Sequence, residues 1–175
     1  ILLAFAAQAQ TYSVTDGRAI KFFEEGENLL YLKRYPEALQ KYQAAWERSE
    51  AFFEAYQKGT QLLITQGRLA EAETVMQKGK LAVLPEKNQY TVYFAWLLSS
   101  IYLKQGRFEE ASLEFQVVEQ GATEALMKSS FFLEMKQKVD FVRKQLPLKK
   151  NIEKEILPSP LNGFALQYFP VLTAD

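Results

Sequence analysis

Three stretches of this chain say nearly the same thing, and they limit what it can fold into. They are Leu32-Lys33-Arg34-Tyr35-Pro36-Glu37-Ala38, Thr65-Gln66-Gly67-Arg68-Leu69-Ala70-Glu71-Ala72, and Ile101-Tyr102-Leu103-Lys104-Gln105-Gly106-Arg107-Phe108-Glu109-Glu110-Ala111. Each reads as the end of one helix, a tight turn and the start of an antiparallel second helix. Gly106 supplies the backbone conformation that closes the first helix. Phe108 is expected to pack back into the hairpin, and Ala111 keeps the crossing point small. Ala38, Ala72 and Ala111 recur 34 and then 39 residues apart. The five additional residues are Pro85-Glu86-Lys87-Asn88-Gln89. Units of this kind cannot bury their apolar face alone, so they must stack.

Periodicity between the turns predicts the helices. Residues 19–31 and 36–48 make the first pair, with Phe22, Gly26 and Leu29 on one inner face and Ala38, Tyr42 and Ala45 on the other. Pro36 stands in the first turn of its helix, where a missing N–H costs nothing. Residues 53–65 and 70–83 make the second pair, with Tyr56, Thr60 and Leu63 facing Ala72, Met76 and Gly79. Residues 91–103 and 108–120 make the third, with Ala95, Ser99 and Tyr102 facing Ala111, Phe115 and Val118. Residues 123–145 read as one longer helix. Leu126, Phe131, Met135, Val139 and Val142 are its apolar face, and charges lie on the other, as a terminal cap requires. Beyond Pro147 a charged connector and the Pro158-Ser159-Pro160 break lead into residues 164–175, whose aromatic and β-branched content favours strand.

The period and the small and aromatic positions resemble the tetratricopeptide repeat, with Thr60 where that repeat usually has Gly and Gly79 where it usually has Ala. The fold class implied is all-α: a solenoid of αα-hairpins over residues 19–146 with a C-terminal capping helix, followed at 147–175 by a linker and the start of a truncated β domain. Asn162-Gly163 followed by Tyr168-Phe169-Pro170-Val171-Leu172-Thr173-Ala174-Asp175 resembles the opening of a WD40-like (PD40) β-propeller. One group of envelope proteins carries repeats, such a propeller and a C-terminal OmpA-like domain in that order, and some of its members support type IX secretion and gliding. Peptidoglycan binding is implied only for a longer parent that carries the OmpA-like domain.

Composition narrows the chemistry. Of the 175 residues 48% are hydrophobic and 24% charged, a globular balance, and 21 basic residues cancel 21 acidic ones. No bulk attraction to nucleic acid or anionic lipid follows, and basic residues are scattered rather than striped. Cys and His are absent, which removes thiol catalysis, Ser-His triads, His-based zinc sites and disulfides together. Glu24-Glu25 and Glu109-Glu110 are neighbours in sequence but point about 100° apart on a helix, so neither forms a catalytic dyad. No Gly-rich phosphate loop follows a strand. The reading is a non-enzymatic protein with no cofactor and no metal.

The remaining functional surface is the concave face lined by the first helix of each pair. The repeat pattern, carried across residue by residue, puts Phe23, Glu27, Leu30 and Tyr31 there from the first pair. Gln57, Gln61 and Ile64 come from the second, and Tyr93, Trp96, Ser100 and Lys104 from the third. Aromatics mixed with uncharged polar groups suit an extended peptide or a partner helix better than an acidic tail, for which only Lys104 offers a counter-charge. The alternative is that Phe23 and Trp96 complete the core between pairs. Two further readings stand beside the interaction scaffold: an outer-membrane glycan-binding protein with embedded repeats, and the accessory arm of an enzyme lying beyond residue 175.

Residues 1–9 form an apolar run ending Ala7-Gln8-Ala9, which resembles the end of a secretory signal peptide; the alternative is a short buried helix. The run falls short of the roughly 20 apolar residues of a membrane span. Export places the protein in the periplasm or at an outer membrane, with no direct membrane insertion by this segment. A chain so processed begins at Gln10. N-terminal sequencing of the protein from its native envelope checks this, and a retained Ile1 would remove the exported reading.

Overall fold

The three repeated phrases fold into three turns of one geometry. In a computed structural model that describes residues 12–85 and 88–148, the first hairpin joins α1 (Gly17–Tyr31) to α2 (Tyr35–Arg48). The second joins α3 (Phe53–Thr65) to α4 (Leu69–Val83), and the third joins α5 (Thr91–Gln105) to α6 (Phe108–Gly121). At each reversal one residue takes the left-handed conformation: Lys33 at φ 58°, Gly67 at 72° and Gly106 at 74°. The next N–H then turns back to the first helix, from Arg34 to the Leu29 carbonyl, Arg68 to Leu63 and Arg107 to Tyr102, at 2.9 to 3.0 Å. These are the bonds that close a helix with a left-handed cap. The carbonyls of the same arginines accept from Ala38, Ala72 and Ala111, which starts the second helix. Arg34, Arg68 and Arg107 also pair with Glu37, Glu71 and Glu110 one turn on.

Each helix packs on its immediate neighbours in the chain, α1 on α2 through to α6 on the terminal helix, as in a solenoid. Ala38, Ala72 and Ala111 are fully buried at the crossings. At Gly26 a Cβ would lie 2.7 Å from the Tyr42 ring, and at Gly79 2.6 Å from that of Tyr56, so the aromatic of one helix occupies the space a side chain would take on the other. Between hairpins the rings of Trp46 and Tyr56 stack at 5.0 Å. Ser99 Oγ donates to the Ala111 carbonyl at 2.8 Å. Before α5 a 3-10 turn, Asn88–Tyr90, stacks Tyr90 on Phe53 at 4.0 Å.

Four expectations change. The buried face of α1 is Ala19, Phe23 and Gly26, not Phe22, Gly26 and Leu29. Phe23 is drawn inward because Tyr12 and Phe52 close around it, with ring centroids at 5.5 and 5.3 Å. Tyr12 belongs to a strap before α1: Ser13 Oγ donates to Glu54 at 2.6 Å and accepts the Phe53 N–H at 3.0 Å. Phe108 is only partly packed into its hairpin: it is 40% exposed at the first turn of α6, in a groove between Leu103 and Phe141. Residues 123–145 are not one helix. They divide into α7 (Glu124–Met127) and α8 (Ser130–Gln145), because the Thr123 and Ser129 hydroxyls each cap a new helix start. That break turns Phe132 inward and leaves Phe131 74% exposed.

α8 lays Phe132, Met135 and Val139 onto the third hairpin. Along the edge facing α6, Lys136, Asp140 and Arg143 join Glu119 in a cluster of ion pairs. Arg143 also donates to the hydroxyl and carbonyl of Ser112. A 3-10 turn, Leu146–Leu148, follows. The leader, the charged connector and the strand expected at 164–175 lie outside the described residues.

Lys33 carries the strain that Gly67 and Gly106 avoid. Lys33→Gly is expected to stabilise the fold by about 0.5–1 kcal/mol, the left-handed penalty less the entropy gained by the unfolded chain. Gly67→Ala and Gly106→Ala lose comparable amounts. Unfolding midpoints of the three variants check the set.

Candidate functional site

The first helices leave a depression of about 250 Å³ on their shared side. α3 contributes Gln57 and Gln61, one turn apart, and α5 contributes Val92, Tyr93, Trp96 and Leu97. Leu126 of α7 and Phe131 of α8 form the far wall. The helix break at Ser129 is what brings Phe131 round to this position. Trp96 is half-buried, held by Phe115 and Phe132 with ring centroids at 6.3 and 6.5 Å. Tyr93 is more than half exposed and touches the Phe53 ring at 5.6 Å. No charged residue lines the depression. The Gln57 and Gln61 amides hydrogen-bond no other described side chain, so both remain free to donate and accept.

A second depression adjoins it, lined by Leu30, Tyr35, Lys58, Gln61, Thr65 and Gln66 among others. Gln61 is the wall the two share. The two together make one groove crossing α1, α3 and α5.

The sequence-derived surface is thus divided by the structure. Gln57, Gln61, Tyr93 and Trp96 meet at the first depression, and Leu30 lies at the second. Tyr31 is 87% exposed, beside neither. Phe23, only 3% exposed, is core and presents nothing to a partner; this corrects its placement on the open face. Ile64 is half-buried against the core. Ser100 is half-buried and Lys104 exposed, and neither lines a depression. Val92, Leu97, Leu126 and Phe131 were not among the expected residues. Phe131 could be reached only by recognising Ser129 as a helix cap.

Glu27 is a structural junction rather than an open acid. It accepts from the Tyr42 hydroxyl and, at 2.8 Å, from Lys58 Nζ, tying α1 to α2 and α3. Burial, and then the bond to Glu27, raise the Tyr42 pKa well above the ordinary phenol range, so its hydroxyl stays a donor. Tyr56 is the contrast. Its hydroxyl is buried with no hydrogen-bond partner, and burial pushes its pKa up to about 12. Among the described residues no cluster of acidic side chains is placed to hold a metal, and no helix is long and apolar enough to cross a membrane.

No family model and no curated protein matches the sequence. Solved structures do. The first TPR of Spaghetti (RPAP3) bound to the HSP90 peptide SRMEEVD superposes with a TM-score of 0.61 at 14% identity, covering 77% of this chain and 97% of that one. A T3SS complex from Aeromonas hydrophila gives 0.63 at 14% identity, covering 78% and 87%. The Sgt2 TPR domain from Aspergillus fumigatus gives 0.60 at 12%, covering 86% and 95%.

The two tyrosines make a test of the junction. Tyr42→Phe strips a donor from a carboxylate and is expected to cost about 1–2 kcal/mol, while Tyr56→Phe removes an unpaired buried hydroxyl and leaves stability unchanged or slightly higher. Urea unfolding of both variants measures the difference. The fold is that of tetratricopeptide-repeat domains, a helical hairpin solenoid with an open groove.

Proposed function

We propose that this domain is a non-enzymatic scaffold that captures an uncharged, extended stretch of a partner protein in the groove across α1, α3 and α5. The observation that carries the reading is the pairing of Gln57 and Gln61 with the Tyr93, Trp96 and Phe131 walls. Helix residues four apart rise about 6 Å. Alternate residues of an extended chain repeat at about 6.6 Å, so two unpaired amides on one helix face can bond every second peptide group of such a ligand. The aromatic walls supply apolar contact beside them. The fold neighbour solved with a seven-residue peptide supports peptide capture as a use of this architecture. That peptide, SRMEEVD, is acidic; the α3–α5 depression has no charged residue, and Lys58 of the adjoining one is paired with Glu27, so a different ligand chemistry is proposed.

We place the scaffold in the periplasm or at an outer membrane, as part of a secretion or envelope-anchoring assembly. That part rests on the leader-like residues 1–9 and on the propeller resemblance at 168–175, with peptidoglycan reached only through an OmpA-like domain of a longer parent.

Selection of a random displayed-peptide library against the full chain tests the groove. Uncharged peptides with apolar side chains should be enriched, and their affinity should fall about tenfold, some 1.4 kcal/mol, in Gln61→Lys and in Phe131→Asp. Both positions are exposed, so the fold survives. Enrichment of acidic peptides, or binding indifferent to both substitutions, would overturn the proposal.

A further inference from the structure

A second apolar groove lies at the other end of the domain, away from Gln57 and Trp96. Leu103, Gly106 and Phe108 of the third turn form one wall, and Phe141, Val142 and Leu146 of the α8 end form the other. Its volume is about 360 Å³ where Gly106 faces Leu146. Phe141 is 64% exposed, and among the residues lining this groove only Glu109 and Lys138 carry charge. The same place between the first and second hairpins is built differently. There Tyr35 stands at the position of Phe108, and α3 contributes Lys58, Gln61, Thr65 and Gln66. The repeat therefore does not need an apolar surface here, and the C-terminal copy has one of its own.

We propose that this groove is the docking site of the chain's own apolar segment, residues 164–169. The described chain ends at Leu148, two residues beyond Leu146 on the groove wall. The 27 residues that follow include an uncharged run from Ile156 to Ala174. Within it Phe164, Leu166, Tyr168 and Phe169 crowd four large apolar side chains into six positions. Both surfaces are predominantly apolar, and the two groove charges, Glu109 and Lys138, are of opposite sign, so net charge does not oppose their meeting. The connector, residues 149–163, reaches up to about 50 Å when extended, while all of α8 is about 24 Å long. The tether thus permits the return and holds the segment near the groove at an effective concentration of order millimolar. A second copy would have to match that concentration in solution.

The chain has no cysteine, so Ala165→Cys provides a single labelling point. A nitroxide attached there in the full-length chain should cause loss of amide peak intensity at Gly106, Phe108, Phe141 and Val142, leaving Leu30 and Tyr35 unaffected. Phe141→Asp, at an exposed position, should abolish that loss while the helical circular dichroism is retained. An unlabelled, isotope-enriched chain mixed with labelled chain should show no loss at all. Loss in the mixed sample would assign the groove to a second copy, and loss at Tyr93 and Trp96 would assign the segment to the other groove. Either result, or no loss anywhere, would overturn the proposal.

Discussion

Everything in this fold depends on how the chain reverses at Lys33, Gly67 and Gly106. A single left-handed residue lets the next N–H return to the first helix while its own carbonyl starts the second. The phase of the second helix is set at that point, and it puts Ala38, Ala72 and Ala111 against the partner helix. Had the turn been one residue longer, each alanine would rotate about 100° away and a larger neighbour would meet the crossing. Overpacking of that kind costs about 1–3 kcal/mol per site. The arginine–glutamate pairs beside the turns are exposed, so their contribution is small next to that steric condition.

Once the hairpins have one shape, stacking them raises the problem of the two ends. The N-terminal end is closed by residues 12–16: Tyr12 covers Phe23 and Phe52, Ser13 ties the strap to α3, and Asp16 caps α1 while pairing with Arg48. The C-terminal end is closed differently. α8 buries one face on the third hairpin and sets Lys136, Asp140 and Arg143 along the edge beside α6, where Lys136 and Arg143 bind Glu119 and Ser112. Half-exposed pairs of this sort add little stability. Their effect is to fix α8 against α6 in one register.

The helices and turns were legible because Gly, Pro and the alanine spacing mark them directly. Inner faces were legible in α4 and α6, where Ala72, Met76 and Gly79, and Ala111, Phe115 and Val118, follow the repeat's spacing of four and three. They were misread at Phe22-Phe23 and at Phe131-Phe132, where two adjacent aromatics differ by about 100° and periodicity does not choose between them. In both cases the choice was made by a neighbour outside the helix. Tyr12 and Phe52 draw Phe23 inward, and the Ser129 cap resets the helix start before Phe132. The groove followed the same rule. Gln57, Gln61, Tyr93 and Trp96 lie within regular repeats and could be placed by register, whereas Leu126 and Phe131 come from the irregular stretch after α6 and could not. Phe108 is less buried than expected because at the first turn of α6 it lies towards Phe141 and Val142 of α8 as well as Leu103 of its own hairpin.

The distribution of paired and unpaired polar groups then separates binding surface from structural surface. The acids and bases of α1, α2, α4, α6 and α8 largely satisfy one another, as in Glu27 with Lys58, Glu114 with Lys80 and Glu73 with Arg107. With net charge zero and its ions matched locally, this molecule has little long-range field to steer a partner. Selectivity in the α3–α5 depression therefore has to come from contact. Amides left free at Gln57 and Gln61 are hydrated until a ligand displaces that water. A ligand that covers them without bonding them loses about 1–3 kcal/mol for each group it leaves unsatisfied. Apolar walls alone would accept many sequences; the two glutamines are what would reject a ligand whose backbone is already bonded within a helix. On the proposed reading the groove would prefer an extended chain to a helix for that reason, and that preference would be independent of salt.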